Sequence, residues 1–167
     1  ANLGNIVIWG IGTAGASADD EFFVLYNRTG GNVDITGWKL IYSAATTTPT
    51  CSLSAKYTFS TYTLNNNKYV LVAGSSYSAA AHTGNTTPDF THTANFQFSG
   101  ASGHVILCNG STEIDRLGYG SASYPEGTAQ AVGQVVYRQD PIQDTGNNNN
   151  DFSAGATNVV SLRNSAN

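Results

Sequence analysis

The sequence predicts an all-β fold, a sandwich or barrel of about eight to ten short strands. Short runs rich in aromatic and β-branched residues recur along the chain. Turn signals separate them about every ten residues, and helical periodicity is almost absent. The 167 residues suit one domain, residues 1–167, with no internal repeat and no linker. That length buries a real core without help from a metal or a disulfide.

The first element is residues 5–11, NIVIWGI. Period-two geometry sends Ile6 and Ile8 to one face and Val7, Trp9 and Ile11 to the other. Residues 21–27 form a second strand, with Phe22, Val24 and Tyr26 opposite Phe23 and Leu25. The Gly30-Gly31 pair marks a tight turn, because glycine takes positive φ at little cost. Residues 33–40 lead into a strand around Trp38, a large indole that anchors the core. Residues 44–49 are loop. Tyr57, Phe59 and Tyr62 alternate with polar neighbours, as on a half-exposed strand. Asn65, Asn66 and Asn67 turn the chain into residues 69–73, YVLVA, a short buried strand.

Residues 75–82 hold one helical turn, favoured by Ala79, Ala80 and Ala81. Strands at 104–109 and 113–117 flank Asn109-Gly110, the strongest hairpin signal in the chain. Residues 118–133 are irregular. Strands follow at 135–138 and 159–162, separated by the polar, Asn-rich loop 140–151. The first two strands lack a polar face, so both of their sides need cover, from a long loop of the same chain or from another subunit.

Charged residues make up 11% of the chain, against about 25% in an average globular protein. Net charge is −4 with no basic cluster, which argues against nucleic acid as a partner. No apolar run reaches the length of a membrane span. The chain has no Met and begins Ala1-Asn2-Leu3, as a product of signal-peptide cleavage does. A secreted or cell-surface location is therefore expected. Cys51 and Cys108 suit a single disulfide there, the alternative being two buried thiols. Asn27, Asn85 and Asn109 each open an N-glycosylation triplet.

Residues 20–27, DEFFVLYN, and residues 33–40, VDITGWKL, resemble the acidic-aromatic Leu-Tyr-Asn strand and the Gly-Trp segment of lamin tail domains. Residues 103–120 resemble that family's later hairpin. Residues 121–138 and 144–152 resemble its closing segment, where an Asn-rich turn ends in Asp-Phe. The resemblance covers nearly the whole chain and implies an immunoglobulin-like β-sandwich of the secreted bacterial or archaeal type, without general catalytic activity. Two departures stand out: Trp9-Gly10 replaces an Asn-Glu pair, and Val24 replaces a glutamate. Both set apolar groups where the family carries acids.

Residues 10–15 match G-x-G-x-x-G after a strand, but a strand follows where dinucleotide binding needs a helix N-terminus. His82, His92 and His104 lie far apart, without metal-ligand spacing, and read as surface or strand histidines. No nucleophile elbow and no acid–base pair stands out, so no catalytic residue is assigned. Asp144, Asn147, Asn149 and Asp151 offer hard oxygens for Ca2+; the alternative is a connector whose Asn side chains bond its own backbone. Asp19, Asp20 and Glu21 form a second acidic loop.

These features predict a non-enzymatic structural protein that self-associates as an extracellular filament or surface-layer subunit. Ile6, Val7, Ile8, Trp9, Ile11, Phe22 and Val24 are the candidate assembly interface. The alternative is a protein- or glycan-binding adhesion module, using tyrosines such as Tyr42, Tyr57, Tyr62, Tyr77 and Tyr119.

Overall fold

The computed structural model describes residues 5–167. The start at Ala1-Asn2-Leu3 lies outside those residues. Twelve strands run in the order β1 (Ile6–Gly12), β2 (Phe22–Asn27), β3 (Val33–Asp34), β4 (Lys39–Ser43), β5 (Ala55–Thr58), β6 (Thr63–Leu64), β7 (Tyr69–Ala73), β8 (Phe90–Thr91), β9 (Gly103–Asn109), β10 (Thr112–Tyr119), β11 (Val135–Arg138) and β12 (Phe152–Gly155). One helical turn, α1 (Asn148–Asp151), precedes β12, and a single 3-10 turn covers Ala79–Ala81. The strands form an immunoglobulin-like sandwich. One sheet has six strands in the order β12-β11-β1-β2-β7-β8, the other four in the order β10-β9-β4-β5. β3 and β6 pair separately.

The main core lies between the sheets. Ile8, Phe23, Leu25 and Val72 of the larger sheet meet Leu40, Val105, Leu107 and Leu117 of the smaller one. Trp38 anchors one end of this core, as expected. Gly37, at φ +78°, makes the turn before it, and Gly30, at φ +89°, turns the chain after β2. Asn27 shapes that second turn. Its Nδ2 donates to the carbonyls of Gly31 and Leu64, and its Oδ1 accepts the N–H of Thr29.

β1 departs from simple alternation. The β1–β2 register slips between Ile8 and Gly10, so Trp9 is the extra residue of a β-bulge. The bulge puts Ile11 in the main core with Ile6 and Ile8, and sends Trp9 to the outer face with Phe22 and Val24. Period two had put Ile11 with Trp9; an unseen bulge reverses that parity. At Gly10 a Cβ would stand 2.7 Å from the carbonyl oxygen of Val136, so only glycine lets β11 approach here.

The outer face of the six-stranded sheet is covered by the chain itself. Leu162 and Val160 from the C-terminal segment, with Tyr77 and Ile142, pack on Trp9, Phe22, Val24 and Leu71. Arg163 lies over the Trp9 and Tyr69 rings and pairs with Asp140. Residues 159–162 form no strand, contrary to the expectation; they serve as cover. On the outer face of the smaller sheet, the Cys51–Cys108 disulfide fastens Cys51 and Leu53 over Ile41 and Ile106.

Candidate functional site

The bulge in β1 also prepares a buried polar site. Ile8 donates its N–H to Asp115 Oδ2 at 2.6 Å, and its carbonyl accepts from Arg138 Nε at 2.8 Å. Asp115 reaches this point because β10 carries its own bulge between Glu113 and Asp115. Glu113 stays beside Arg116 on one face, while Asp115 turns inward with Leu117 and Tyr119. Arg138 is fully buried on β11, with its guanidinium 4.2 Å from the centroid of the Phe152 ring. Its Nη2 bonds both oxygens of Asp115 at 3.0–3.1 Å, and Nη1 donates to the Gln143 carbonyl. Asp151 and Asp144 approach Nη1 to 3.6 and 3.8 Å.

Asn148 ties this site to the neighbouring loops. Its Oδ1 accepts the N–H groups of Gly118 and Glu126, and its Nδ2 donates to the Arg116 carbonyl. That clasp holds Glu126 beside the buried acids. Asp115, Glu126 and Asp144 each place a carboxylate oxygen within 4.8 Å of the others. Burial pushes the Asp115 carboxyl up to about 6, against the pull of Arg138. Burial, then the charges of Asp115 and Asp144, push Glu126 up to about 7. Oδ1 of Asp144 and Oε2 of Glu126 are buried without a hydrogen-bond partner.

Of the four oxygen donors expected in the 140–151 loop, only Asp144 joins this carboxylate group. Asn147 caps α1, accepting the N–H of Asn149. Asp151 accepts the N–H and hydroxyl of Thr145. Asn149 is exposed and gives its own N–H to Asn147. The expected set does not converge, because the loop bonds its own backbone. The Asp20 and Glu21 side chains are likewise occupied. Asp20 accepts the N–H groups of Ala16 and Ser78, and Glu21 those of Gln97 and Phe98.

Two further expectations need correction. Ile6, Val7, Ile8, Trp9, Ile11, Phe22 and Val24 are each at most 1% exposed, and β1 is paired on both sides, by β2 and β11. They offer no free surface for a neighbour, because the C-terminal segment and the opposite sheet already cover them. Asn27 is fully buried with Nδ2 engaged twice, so it has no room for a glycan; Asn85 and Asn109 are exposed. Among the tyrosines, Tyr119 is buried, while Tyr42, Tyr57 and Tyr62 pack against the core.

His104 is a buried strand histidine on β9, and His82 is buried rather than at the surface. His82 Nε2 sits 3.1 Å from Asp20 Oδ1. His104 Nε2 accepts the Tyr124 N–H at 3.0 Å, which places the proton of the neutral ring on Nδ1. Burial, as the main cause, holds His104 below the ordinary histidine value of 6.5. The neutral ring therefore stabilises the fold above 6.5, and that contribution is lost as the pH falls through the depressed folded value. Melts between pH 7 and 5 are expected to lose less stability in His104→Gln than in the natural chain. The buried carboxylates act in the opposite direction, so the difference between the two proteins is the informative quantity. A His104 ring that titrates at or above 6.5 by NMR would contradict this.

Two sheets packed around one core, antiparallel throughout except for the parallel β7–β8 pair, define an immunoglobulin-like β-sandwich. Its particular kind follows from comparison with known families. The family model for the Lamin Tail Domain matches residues 1–121, and the chain belongs to that family. No curated protein matches it. The family match ends shortly after β10, so Glu126, Arg138 and Asp144 lie beyond it while Asp115 lies within.

Proposed function

We propose that the chain is a non-enzymatic extracellular structural protein that associates with copies of itself through the free edge of β12, as a filament or surface-layer subunit. One observation carries this reading: β12 is the outermost strand of the larger sheet and lacks the usual guards. Its sequence, FSAG, has no Lys and no Pro. Exposed Val132 and Val159, 46% and 44% accessible, flank its Gly155 end. A Cβ at Gly155 would touch Val159, and one at Gly133 would touch Gly155.

The other edges are protected. β5 carries Lys56, β8 has two residues and follows Pro88, and β10 carries the Glu113–Arg116 pair with Pro125 against Gly118. Pairing of β12 with β12 joins two copies about a two-fold axis, and growth into a filament or layer takes a second contact between such pairs. The disulfide and the absence of a membrane-spanning helix among the described residues are compatible with an extracellular setting.

Light scattering over a concentration series, with electron microscopy of the same samples, tests this reading. The natural chain is expected to gain mass with concentration. Val132→Lys combined with Val159→Lys is expected to remain monomeric, because charge beside an edge blocks strand addition. A natural chain that stays monomeric, or that binds a glycan saturably as a monomer, would overturn the proposal.

A further inference from the structure

We infer that Asp115, Glu126 and Asp144 form a binding site for a hard divalent cation of the calcium class. The three residues come from β10, the loop after it and the loop after β11, yet each supplies a carboxylate oxygen to one point. Their mutual limit of 4.8 Å is about twice a calcium–oxygen bond of roughly 2.4 Å, so each pair is close enough to share one ion, and a small inward shift of the side chains brings all three onto it.

A second observation points to a ligand. Asp144 is 6% exposed, and its Oδ1 accepts no hydrogen bond. Oε2 of Glu126 is in the same state. Buried carboxylate oxygens normally have donors, because leaving them bare is costly. Arg138 does not fill this gap. Its nitrogens are engaged by Asp115, Ile8 and Gln143, and it stops 3.8 Å short of Asp144.

The charge count agrees with the geometry. Asp115, Glu126, Asp144 and Asp151 surround a single guanidinium, and Asp151 is already committed to Thr145. A divalent ion offsets two of the three uncompensated charges. Glu126 is half-buried, so its side gives an ion access from solvent. The ion would join residues beyond the family match to the sandwich itself, securing the segment that leads into β12.

The test uses the full chain, freed of metal by chelation and titrated with CaCl2 and, separately, MgCl2. Calorimetry is expected to show one saturable site, and the Tm is expected to rise with the divalent salt but not with NaCl of equal ionic strength. Glu126→Gln and Asp144→Asn are expected to weaken binding by about tenfold or more. Glu126→Gln alters a half-buried side chain and decides the question if Asp144→Asn does not fold. No heat and no Tm change with either salt would overturn the inference. So would Glu126→Gln binding as tightly as the natural chain, or gaining stability while neither protein responds to the ions.

Discussion

Arg138→Met is expected to lower the unfolding free energy by about 3–5 kcal/mol, measured by urea denaturation. The guanidinium hydrogen-bonds Asp115 and is the nearest positive charge to Asp151 and Asp144, 3.6 and 3.8 Å away, and all three acids are buried. Removing it leaves those carboxylates facing one another without a countercharge. It also strips a donor from the carbonyls of Ile8 and Gln143. The loss from an unpaired buried charge exceeds what the added apolar contact with Phe152 returns. Arg138→Lys is expected to recover little, because one ammonium cannot span Ile8, Asp115 and Gln143 together. Adding Asp115→Asn to Arg138→Met is expected to restore part of the loss by removing one of the stranded charges. A loss below about 1 kcal/mol would mean that the carboxylates carry protons or another cation when the arginine is present.

The sandwich was legible in the sequence because its strongest signals are local. The Gly30-Gly31 and Asn109-Gly110 signals mark turns, and Gly30 and Gly110 take positive φ while Gly31 does not. The apolar alternation of Phe22 to Tyr26 survives intact in β2. Trp9 was placed on the right face, but Ile11 was not, since a bulge leaves no mark in the alternation until the partner strand is known. The cover over Trp9 and Val24 escaped for a different reason. Val160 and Leu162 signal a packed segment, but two alternating apolar residues read as a short strand and do not say which face of the sheet they cover.

The polar site was almost illegible. Arg138 meets Ile8 across 130 residues and Asp115 across 23, and both contacts depend on bulges. Nothing in the neighbourhood of Arg138 separates it from an ordinary surface arginine at the end of a strand. The Asn-rich run at 147–150 is conspicuous in the sequence, but Asn147 uses its side chain and carbonyl to close α1. Asn148 reaches outward to Gly118, Glu126 and Arg116, and Asn147 accepts the Thr128 N–H. Asp144 is one of the four oxygen donors the sequence offers in that loop, and its Oδ1 is buried without a hydrogen-bond partner.

Cys51→Ala with Cys108→Ala is expected to cost about 4 kcal/mol in the chain-entropy account, because the bridge closes a loop with a sequence separation of 57. A domain of this kind has roughly 5–15 kcal/mol in total, so the double variant retains a narrow margin. The bridge also has a local task. It pins Cys51 and Leu53 against Ile41 and Ile106 on the outer face of the four-stranded sheet. Without it the loop at 44–54 is free to lift, exposing two fully buried isoleucines. Urea unfolding of the double variant, and of the natural chain with and without reductant, separates the two effects. The entropic part should appear at any temperature and with either treatment. Loss of cover should add a steeper rise in apolar dye binding, because the sheet beneath remains folded on its other face. Equal stability of the oxidised and reduced chains would show that the contacts of Leu53, rather than the covalent link, hold this loop down.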